Sequence, residues 1–150
     1  MKKLKITPIK NGTVIDHISP GNALKVLYVL NIPESTASVV SVAINVKSKL
    51  GKKDIVKVEN RELDTREVDK IALIAPKATI NIIRNYEVVE KHKVHLPKEI
   101  VGIVKCSNPT CVSNAREPVQ SRFLLVQEDP PRIRCYYCER DAEDIAERIM

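Results

Sequence analysis

Aromatic residues, glycine and cysteine are all scarce in this chain. Its 150 residues include one Phe, four Tyr and no Trp, which leaves few rings for stacking the bases of single-stranded nucleic acid. The four glycines are dispersed and form no glycine-rich phosphate loop. No hydrophobic run is long enough to span a bilayer, and Pro33 and Glu34 interrupt the best candidate, residues 26–46. The sequence therefore predicts a globular protein that does not enter a membrane.

The location of the protein is predicted from its first residues and its cysteines. Residues 1–8 include lysines but no apolar core follows them, so we expect no secretory signal. The first hundred residues contain no cysteine, which is not typical of a secreted disulfide framework. Reduced thiols without an export signal predict a cytoplasmic location.

All four cysteines lie in the last third of the chain. Cys106 and Cys111 form a C-x₄-C pair, and Cys135 and Cys138 form a C-x₂-C pair after 23 intervening residues. Two close pairs separated by a long excursion suit a tetrahedral Zn²⁺, with one ion per chain. Four thiolates leave no coordination position for water, so this zinc would be structural. Two disulfides or four unrelated core thiols are the alternatives.

The first hundred residues alternate between strand and helix patterns. A capping box at Asp64 and Glu67 predicts the start of the second helix, which Pro76 ends. Ser19 is the expected N-cap of the first helix, with Pro20 at its first position. Gly12 is expected in a turn. The predicted elements are a strand over 4–9, a helix over 20–30, strands over 38–46 and 54–59, a helix over 65–75, and a last strand or pair of strands over 79–83 and 86–89.

This order predicts a ferredoxin-like βαββαβ domain over residues 1–97, with both helices on one face of the sheet. Residues 98–150 would form a small β-rich Cys₄ zinc domain, with strands over 123–126 and 132–135 and a helix over 142–149. About 50 residues are too few for a self-sufficient core, so metal binding would contribute to folding. The fold class is therefore α+β.

The net charge, the aromatic residues and the histidines limit the classes of function that the sequence allows. A net charge of +6 favours an anionic partner, and a zinc-containing nucleic-acid-binding protein is the alternative reading. However, the expected central strands, 4–9 and 54–59, contain no aromatic residue for base stacking. His17, His92 and His95 fit no catalytic motif. The adjacent Asp16 and His17 are expected at a turn or helix entry, because neighbours on an extended chain point apart.

A site for a small anion such as a nucleoside triphosphate is compatible with the same residues. Such a ligand needs ammonium groups for its phosphates, a carboxylate or amide for its ribose, and apolar walls for its base. Solvated surface lysines are an equally good reading of the composition. The candidates are Lys57 and Lys91 for the phosphates, Asp16 and Asn81 for the ribose, and Val14, Ile83 and Val88 for the base.

Four segments carry a family resemblance: GTVIDHI at 12–18, GKKDIVKVEN at 51–60, APKATIN at 75–81 and NYEVV at 85–89. Together with the Cys₄ tail, they closely resemble the regulatory chain of aspartate carbamoyltransferase over almost the full length. The resemblance implies a non-catalytic subunit that binds CTP, UTP or ATP and controls the first committed step of pyrimidine biosynthesis. It also implies regulatory-chain homodimers, with zinc domains that bind catalytic chains and link catalytic trimers.

The resemblance further implies a set of effector-binding residues. Lys53 would lie near the phosphates or near a second nucleotide. Two departures from the family pattern are Thr7, where many relatives have an acidic residue, and residues 108–110 (Asn108, Pro109 and Thr110) in the first cysteine loop, which in the family faces a catalytic chain. The implied set is Pro8, Ile9, Val14, Asp16, His17, Lys53, Lys57, Asn81, Ile83, Tyr86, Val88 and Lys91, and the zinc ligands are Cys106, Cys111, Cys135 and Cys138.

Overall fold

Two antiparallel sheets organise the chain. The computed structural model describes residues 8–49, 51–115 and 119–150. The larger sheet has five strands in the order β2-β3-β1-β4-β5. Its first four strands have the ferredoxin-like order, and β5 is added at the edge by a tight turn after β4. The elements of this five-stranded half are β1 Gly12–Ile18, α1 Ala23–Val29, β2 Val40–Ser48, β3 Gly51–Glu59, α2 Thr65–Ile74, β4 Thr79–Arg84 and β5 Glu87–Lys93.

The first strand is not where the sequence predicted it. Of the expected strand over 4–9, residues 4–7 and the departure at Thr7 lie outside the described residues, and residues 8 and 9 are not in a strand. The strand instead begins at Gly12, which was expected in a turn. Gly12 has φ +143°, and a Cβ there would collide with the backbone of Val58 and Glu59 on β3. Only glycine allows β3 to approach this closely.

Helix α1 begins three residues later than predicted. Its N-cap is Asn22, not Ser19, and the helix starts at Ala23, not Pro20. The N-terminal amides are instead bound by a distant side chain: the buried Asp54 carboxylate accepts from the N–H of Gly21 at 3.0 Å and from that of Ala23 at 3.3 Å. Because the capping side chain belongs to β3, no sequence pattern near the helix indicates it. This explains why the start of α1 was predicted wrongly.

Helix α2 confirms the predicted capping box. The Asp64 side chain accepts from the Glu67 N–H at 2.8 Å, and the Glu67 side chain accepts from the Asp64 N–H at 3.3 Å.

The side chains of β1 alternate between the two faces of the sheet. Thr13 and Ile15 point towards the helices, and Val14 and Asp16 point towards the opposite face. The residues between sheet and helices form the core, which includes Ile15, Ile18, Val26, Val56, Val58, Ile71, Ala72 and Ile80.

The smaller sheet has the order β6-β7-β8. Strand β8 matches the prediction, and β7 extends the predicted strand by one residue at each end. The predicted helix over 142–149 shortens to four residues, because the flanking backbone is tied to other segments: the Ala142 N–H donates to Ile133 and the Met150 N–H to Ile103. The elements of this three-stranded half are β6 Glu99–Val101, β7 Arg122–Gln127, β8 Arg132–Cys135 and α3 Ile145–Arg148.

The two halves pack directly against each other. One continuous apolar cluster includes Leu73 and Ile74 of α2 together with Ile103 of the three-stranded half, and the partly buried Ile145 packs against it. Two polar contacts flank this seam: Lys77 pairs with Asp129 at 3.3 Å, and the Arg66 guanidinium donates to the Gly102 carbonyl at 2.7 Å. Across the three described ranges, no helix combines the length and apolarity that a membrane crossing requires.

Candidate metal centre and ligand-binding face

Two short loops present the four cysteines to one another. The wider loop, from Cys106 to Cys111, is held by amide side chains. Asn108 accepts from the N–H of Thr110 at 3.2 Å, and the Asn114 amide donates to the carbonyls of Cys106 at 3.0 Å and Asn108 at 2.7 Å. These bonds compensate for the two extra residues of a C-x₄-C spacing. They keep both thiols on the same side of the loop.

The four sulfur atoms have the spacing of a tetrahedral metal site. All of them lie within 4.8 Å of one another. The Cys106 and Cys138 sulfurs are 3.6 Å apart, and those of Cys111 and Cys135 are 3.7 Å apart. A Zn²⁺ ion with Zn–S bonds of about 2.3 Å would set its ligand sulfurs about 3.8 Å apart. These separations fit a metal and are far longer than a disulfide bond.

The thiols of this cluster differ in acidity. Burial raises the pKa of Cys106 to about 12, and the neighbouring thiols of Cys138 and Cys135 add to the increase. Burial also raises the pKa of Cys135. Burial acts in the same direction on Cys138, but hydrogen bonds from the Arg140 N–H and from neighbouring side chains outweigh it and lower that pKa to about 7. A metal dication must therefore displace protons to bind here.

The candidate ligand-binding residues of β1, β3, β4 and β5 lie on the sheet face opposite the helices. Val14 pairs with Lys57 on β3 and with Asn81 on β4, and Asn81 pairs with Lys91 on β5. These four residues form a straight row across four strands, about 14 Å wide between its outer backbones. The Asn81 amide donates to the Val14 carbonyl at 3.3 Å, which fixes its orientation. The structure thus brings together two residues predicted for phosphates, one for the ribose and one for the base.

The two lysines of this row have different environments. Lys57 is buried on a central strand, and this burial lowers the pKa of its ammonium group. Lys91 is exposed on the edge strand β5. A desolvated ammonium gains more from an approaching anion than a hydrated one does. Lys57 is therefore the stronger candidate for an electrostatic contact with a ligand.

The remaining apolar candidates lie on the side of the row that faces the β4–β5 turn. Ile83 pairs with Gly12 on one side and with Val88 on the other. Tyr86 is exposed in the turn, and its N–H donates to the Lys10 carbonyl at 2.9 Å. This bond brings the segment of Pro8, which is exposed, and Ile9, which is buried, up to the turn.

A polar cluster lies on the other side of the row, two residues further along β1. Asp16 and His17 are not in a turn or helix entry but in β1, where the pairing with β3 shifts register between Ile15 and Ile18. His17 has φ +57°, a left-handed conformation that breaks the alternation of side chains. As a result, the two neighbours do not point apart: the His17 ring nitrogen Nδ1 lies 4.0 Å from the Asp16 carboxylate.

Two contacts complete this cluster. The Lys53 ammonium lies 2.9 Å and 3.1 Å from the two Asp16 oxygens, and His17 Nδ1 lies 3.1 Å from the Thr79 hydroxyl. Sequence reasoning did not identify Thr79, since nothing in its local sequence marks it. The cluster and Tyr86 are separated by about the length of β4, roughly 17 Å. The candidate set thus extends across β3, β1, β4 and β5 and along the strands to the β4–β5 turn.

Comparison with known proteins identifies both halves. A family model described as the allosteric domain of the aspartate carbamoyltransferase regulatory chain matches residues 4–95, and one described as the metal binding domain of that chain matches residues 98–146. An aspartate carbamoyltransferase regulatory chain from Methanothrix thermoacetophila is 56% identical, covering 99% of this chain and 98% of the relative.

Two further relatives with the same description agree. The chain from Methanothermobacter thermautotrophicus is 55% identical over 97% of this chain and 96% of its own length. The chain from Thermococcus sibiricus is 55% identical over 96% of this chain and 95% of its own length. The chain therefore belongs to the family of aspartate carbamoyltransferase regulatory chains, and it is a regulatory subunit with an allosteric and a metal-binding domain, not an enzyme in itself.

Proposed function

We propose that this chain senses nucleoside triphosphates, namely CTP, UTP and ATP, on the open face of its five-stranded sheet. Through that binding it would control the first committed step of pyrimidine biosynthesis. The observation that carries the proposal is the row formed by Lys57, Val14, Asn81 and Lys91. A lysine stands at each end, with an amide and an apolar side chain between them. This combination suits a ligand with phosphates, a sugar and a flat base.

The metal-binding half would coordinate zinc and would also contact the catalytic chain. We infer one structural Zn²⁺ bound by Cys106, Cys111, Cys135 and Cys138, because their sulfur separations suit a tetrahedron of thiolates. Such a site has no open position, so its role would be to order the surrounding loops. Pro109 and Thr110 are exposed at the tip of the wider loop, which supports a docking role for residues 108–110. The proposed partner is a catalytic chain, with regulatory dimers linking catalytic trimers.

The proposed organisation has three further parts. The allosteric domain would occupy residues 1–97 and the zinc domain residues 98–150, since the two sheets are separated by the segment between β5 and β6. Two copies would associate as a regulatory-chain dimer. Cysteines kept as reduced metal ligands favour a cytoplasmic location. No nucleic acid is required as a partner, and neither central strand, β1 or β3, contains an aromatic residue.

Regulation would follow from differential binding. A nucleotide can shift the enzyme between two quaternary states only by the difference between its affinities for them. A nucleotide that bound both states equally would change nothing. The apolar seam between the two halves supports this scheme, because it joins the nucleotide-binding half to the half that would contact the catalytic chain.

Nucleotide titration of charge-deletion variants tests the proposed site. Lys57→Ala and Lys91→Ala should each weaken CTP or ATP binding by about 1 to 3 kcal/mol, measured by calorimetry on the assembled complex. The matched control is Lys52→Ala. Lys52 is exposed, and alternation along β3 places it on the other face of the sheet. Its variant should bind as the wild type does. Unchanged affinity in both Lys57→Ala and Lys91→Ala would refute the site.

A further inference from the structure

The Lys53 side chain is directed at a carboxylate. Its ammonium group lies 2.9 Å and 3.1 Å from the two oxygens of Asp16, and both side chains are about one-fifth exposed. A pair of this kind is less screened by solvent than one on the open surface. Lys53 therefore has a specific, partly buried partner in the polar cluster beside the candidate row.

Asp16 is held from a second direction as well. Its Oδ1 accepts from the His17 N–H at 2.6 Å, a bond that the left-handed backbone of His17 makes possible. The His17 ring is in turn fixed by the Thr79 hydroxyl at 3.1 Å. An ionised carboxylate has about four lone-pair positions. Contacts from Lys53 and His17 orient the group without using all of these, so Asp16 can still accept from a hydroxyl.

An isolated carboxylate would be unfavourable in a site for a highly charged anion. Repulsion between Asp16 and the phosphates would oppose binding at any position on this face. The ammonium group of Lys53 cancels the charge of Asp16 while leaving its acceptor capacity in place. The pair thus offers a neutral, rigid hydrogen-bond acceptor, which is what recognition of sugar hydroxyl groups needs.

We propose that Lys53 is a positioning residue that makes the site selective for ribose, acting through Asp16 and not by binding phosphate. This inference rests on the proposed nucleotide-binding function. In this arrangement Lys57 and Lys91 remain the groups for the phosphates. Lys53 instead determines whether a nucleotide with an intact sugar binds better than one that lacks a hydroxyl group.

The test compares ligands that differ only in the sugar. Calorimetric titration of the assembled complex with ATP, 2′-deoxy-ATP and 3′-deoxy-ATP, and with the corresponding CTP series, gives affinity ratios in which the phosphate contribution cancels. The wild type should prefer the ribonucleotide over at least one deoxy form by about tenfold or more. Lys53→Met should weaken binding of every nucleotide, because Asp16 is left with an uncompensated charge, and should also bring that ratio close to one, because the carboxylate loses the contact that orients it. Lys53→Arg keeps a cationic partner for Asp16 and should retain most of the preference.

Control variants separate the possible outcomes. Lys52→Met lies on the opposite face and should leave every ratio unchanged, whereas Lys91→Ala should lower all affinities while preserving the ribose preference. A phosphate-binding Lys53 would give weaker binding of all ligands with unchanged ratios in Lys53→Met, and that result would overturn the inference. A wild type that binds nucleotides without preference for ribose would overturn it too. A wild type that binds no nucleotide would instead refute the proposed function itself.

Discussion

The five-stranded and three-stranded halves of this chain are stabilised by different means. In the first, two helices cover a sheet, and the core consists of aliphatic side chains such as Ile15, Val58 and Ile71. In the second, Phe123, the only Phe of the chain, is fully buried in the same cluster as Cys106, Cys111 and Cys135. Phe123 pairs directly with Cys135, a candidate metal ligand, across β7 and β8.

The contrast shows how the size of a structural unit determines what must stabilise it. A sheet with two packed helices removes enough apolar surface from water to fold through burial. Among the described residues of the smaller half, the one α-helix has four residues, and the cysteine loops are held by side-chain hydrogen bonds and by the convergence of four thiols. Its core and its candidate metal ligands are in part the same residues, since Cys106, Cys111 and Cys135 belong to the apolar cluster.

Removal of the metal should produce the largest difference in stability between the two halves. Structural zinc contributes on the order of 10 kcal/mol to the folding of small zinc-binding peptides. Chelation should therefore unfold the three-stranded half and release any bound catalytic chain. Hydrogen–deuterium exchange should show lost protection in β7 and β8, while β1 and β3 remain protected. Cys135→Ala should behave in the same way without chelator, and full protection of β7 after verified metal loss would contradict this account.

An effect of intermediate size is expected when a glutamate in the first turn of α2 is replaced, and the matching glutamate of α3 gives the comparison. Glu67 completes the capping box of α2 and pairs with Arg61, whereas Glu147 occupies the first turn of the short α3. Glu67→Ala should reduce the free energy of unfolding by about 1 kcal/mol, because a helix start loses one of its bonds.

Glu147→Ala should change the free energy of unfolding by less than about 0.5 kcal/mol, since α3 is held by its flanking backbone bonds. Glu67→Gln keeps the hydrogen bond of the capping box and should recover most of the loss. Denaturant titrations of the metal-bound protein provide the measurement. Equal losses in the two alanine variants would show that both halves depend on local helix capping to the same degree.

Surface ion pairs should have the smallest effects, of similar size in both halves. The side-chain hydrogen bond to Arg84 lowers the pKa of Glu62, and hydrogen bonds to Arg132 and Arg134 lower that of Asp141. A depressed carboxyl pKa adds stability above the unfolded-state pKa of about 4, which is lost as pH falls through the lower folded value.

Glu62→Gln should therefore lower the Tm slightly at pH 7, with the difference disappearing as the solution is acidified below pH 4 or so. Asp141→Asn should show a similarly small decrease at pH 7. High salt should reduce both differences, because exposed pairs are screened. Thermal scans at two salt concentrations measure these shifts. A large loss in either variant would mean that surface charge contributes to the contrast between the halves.

Local patterns in the sequence predicted those elements that local interactions determine. The capping box located α2, and β8 has the predicted bounds, Arg132–Cys135. The two cysteine spacings predicted a cluster that the sulfur distances bear out. In each case the residues that cause the structure are neighbours in the chain or follow a known ligand spacing.

Long-range contacts explain what the sequence could not predict. Helix α1 is capped from β3 by Asp54, and the start of β1 depends on the backbone of β3 lying against Gly12. The contact between Asp16 and His17 depends on a left-handed residue inside a strand, which runs against the expected alternation. The row of candidate site residues is a consequence of strand register, and register becomes visible only once the strands are paired.

The position of β5 has a consequence for the proposed nucleotide site. This edge strand is exposed along its length, and it carries Lys91 and Val88, whereas Lys57 and Val14 belong to strands inside the sheet. Backbone at the edge of a sheet, with few buried contacts, opens at lower free energy than backbone at its centre. The site would thus have one fixed wall and one adjustable wall, which would allow the same residues to accommodate both single-ring and double-ring bases.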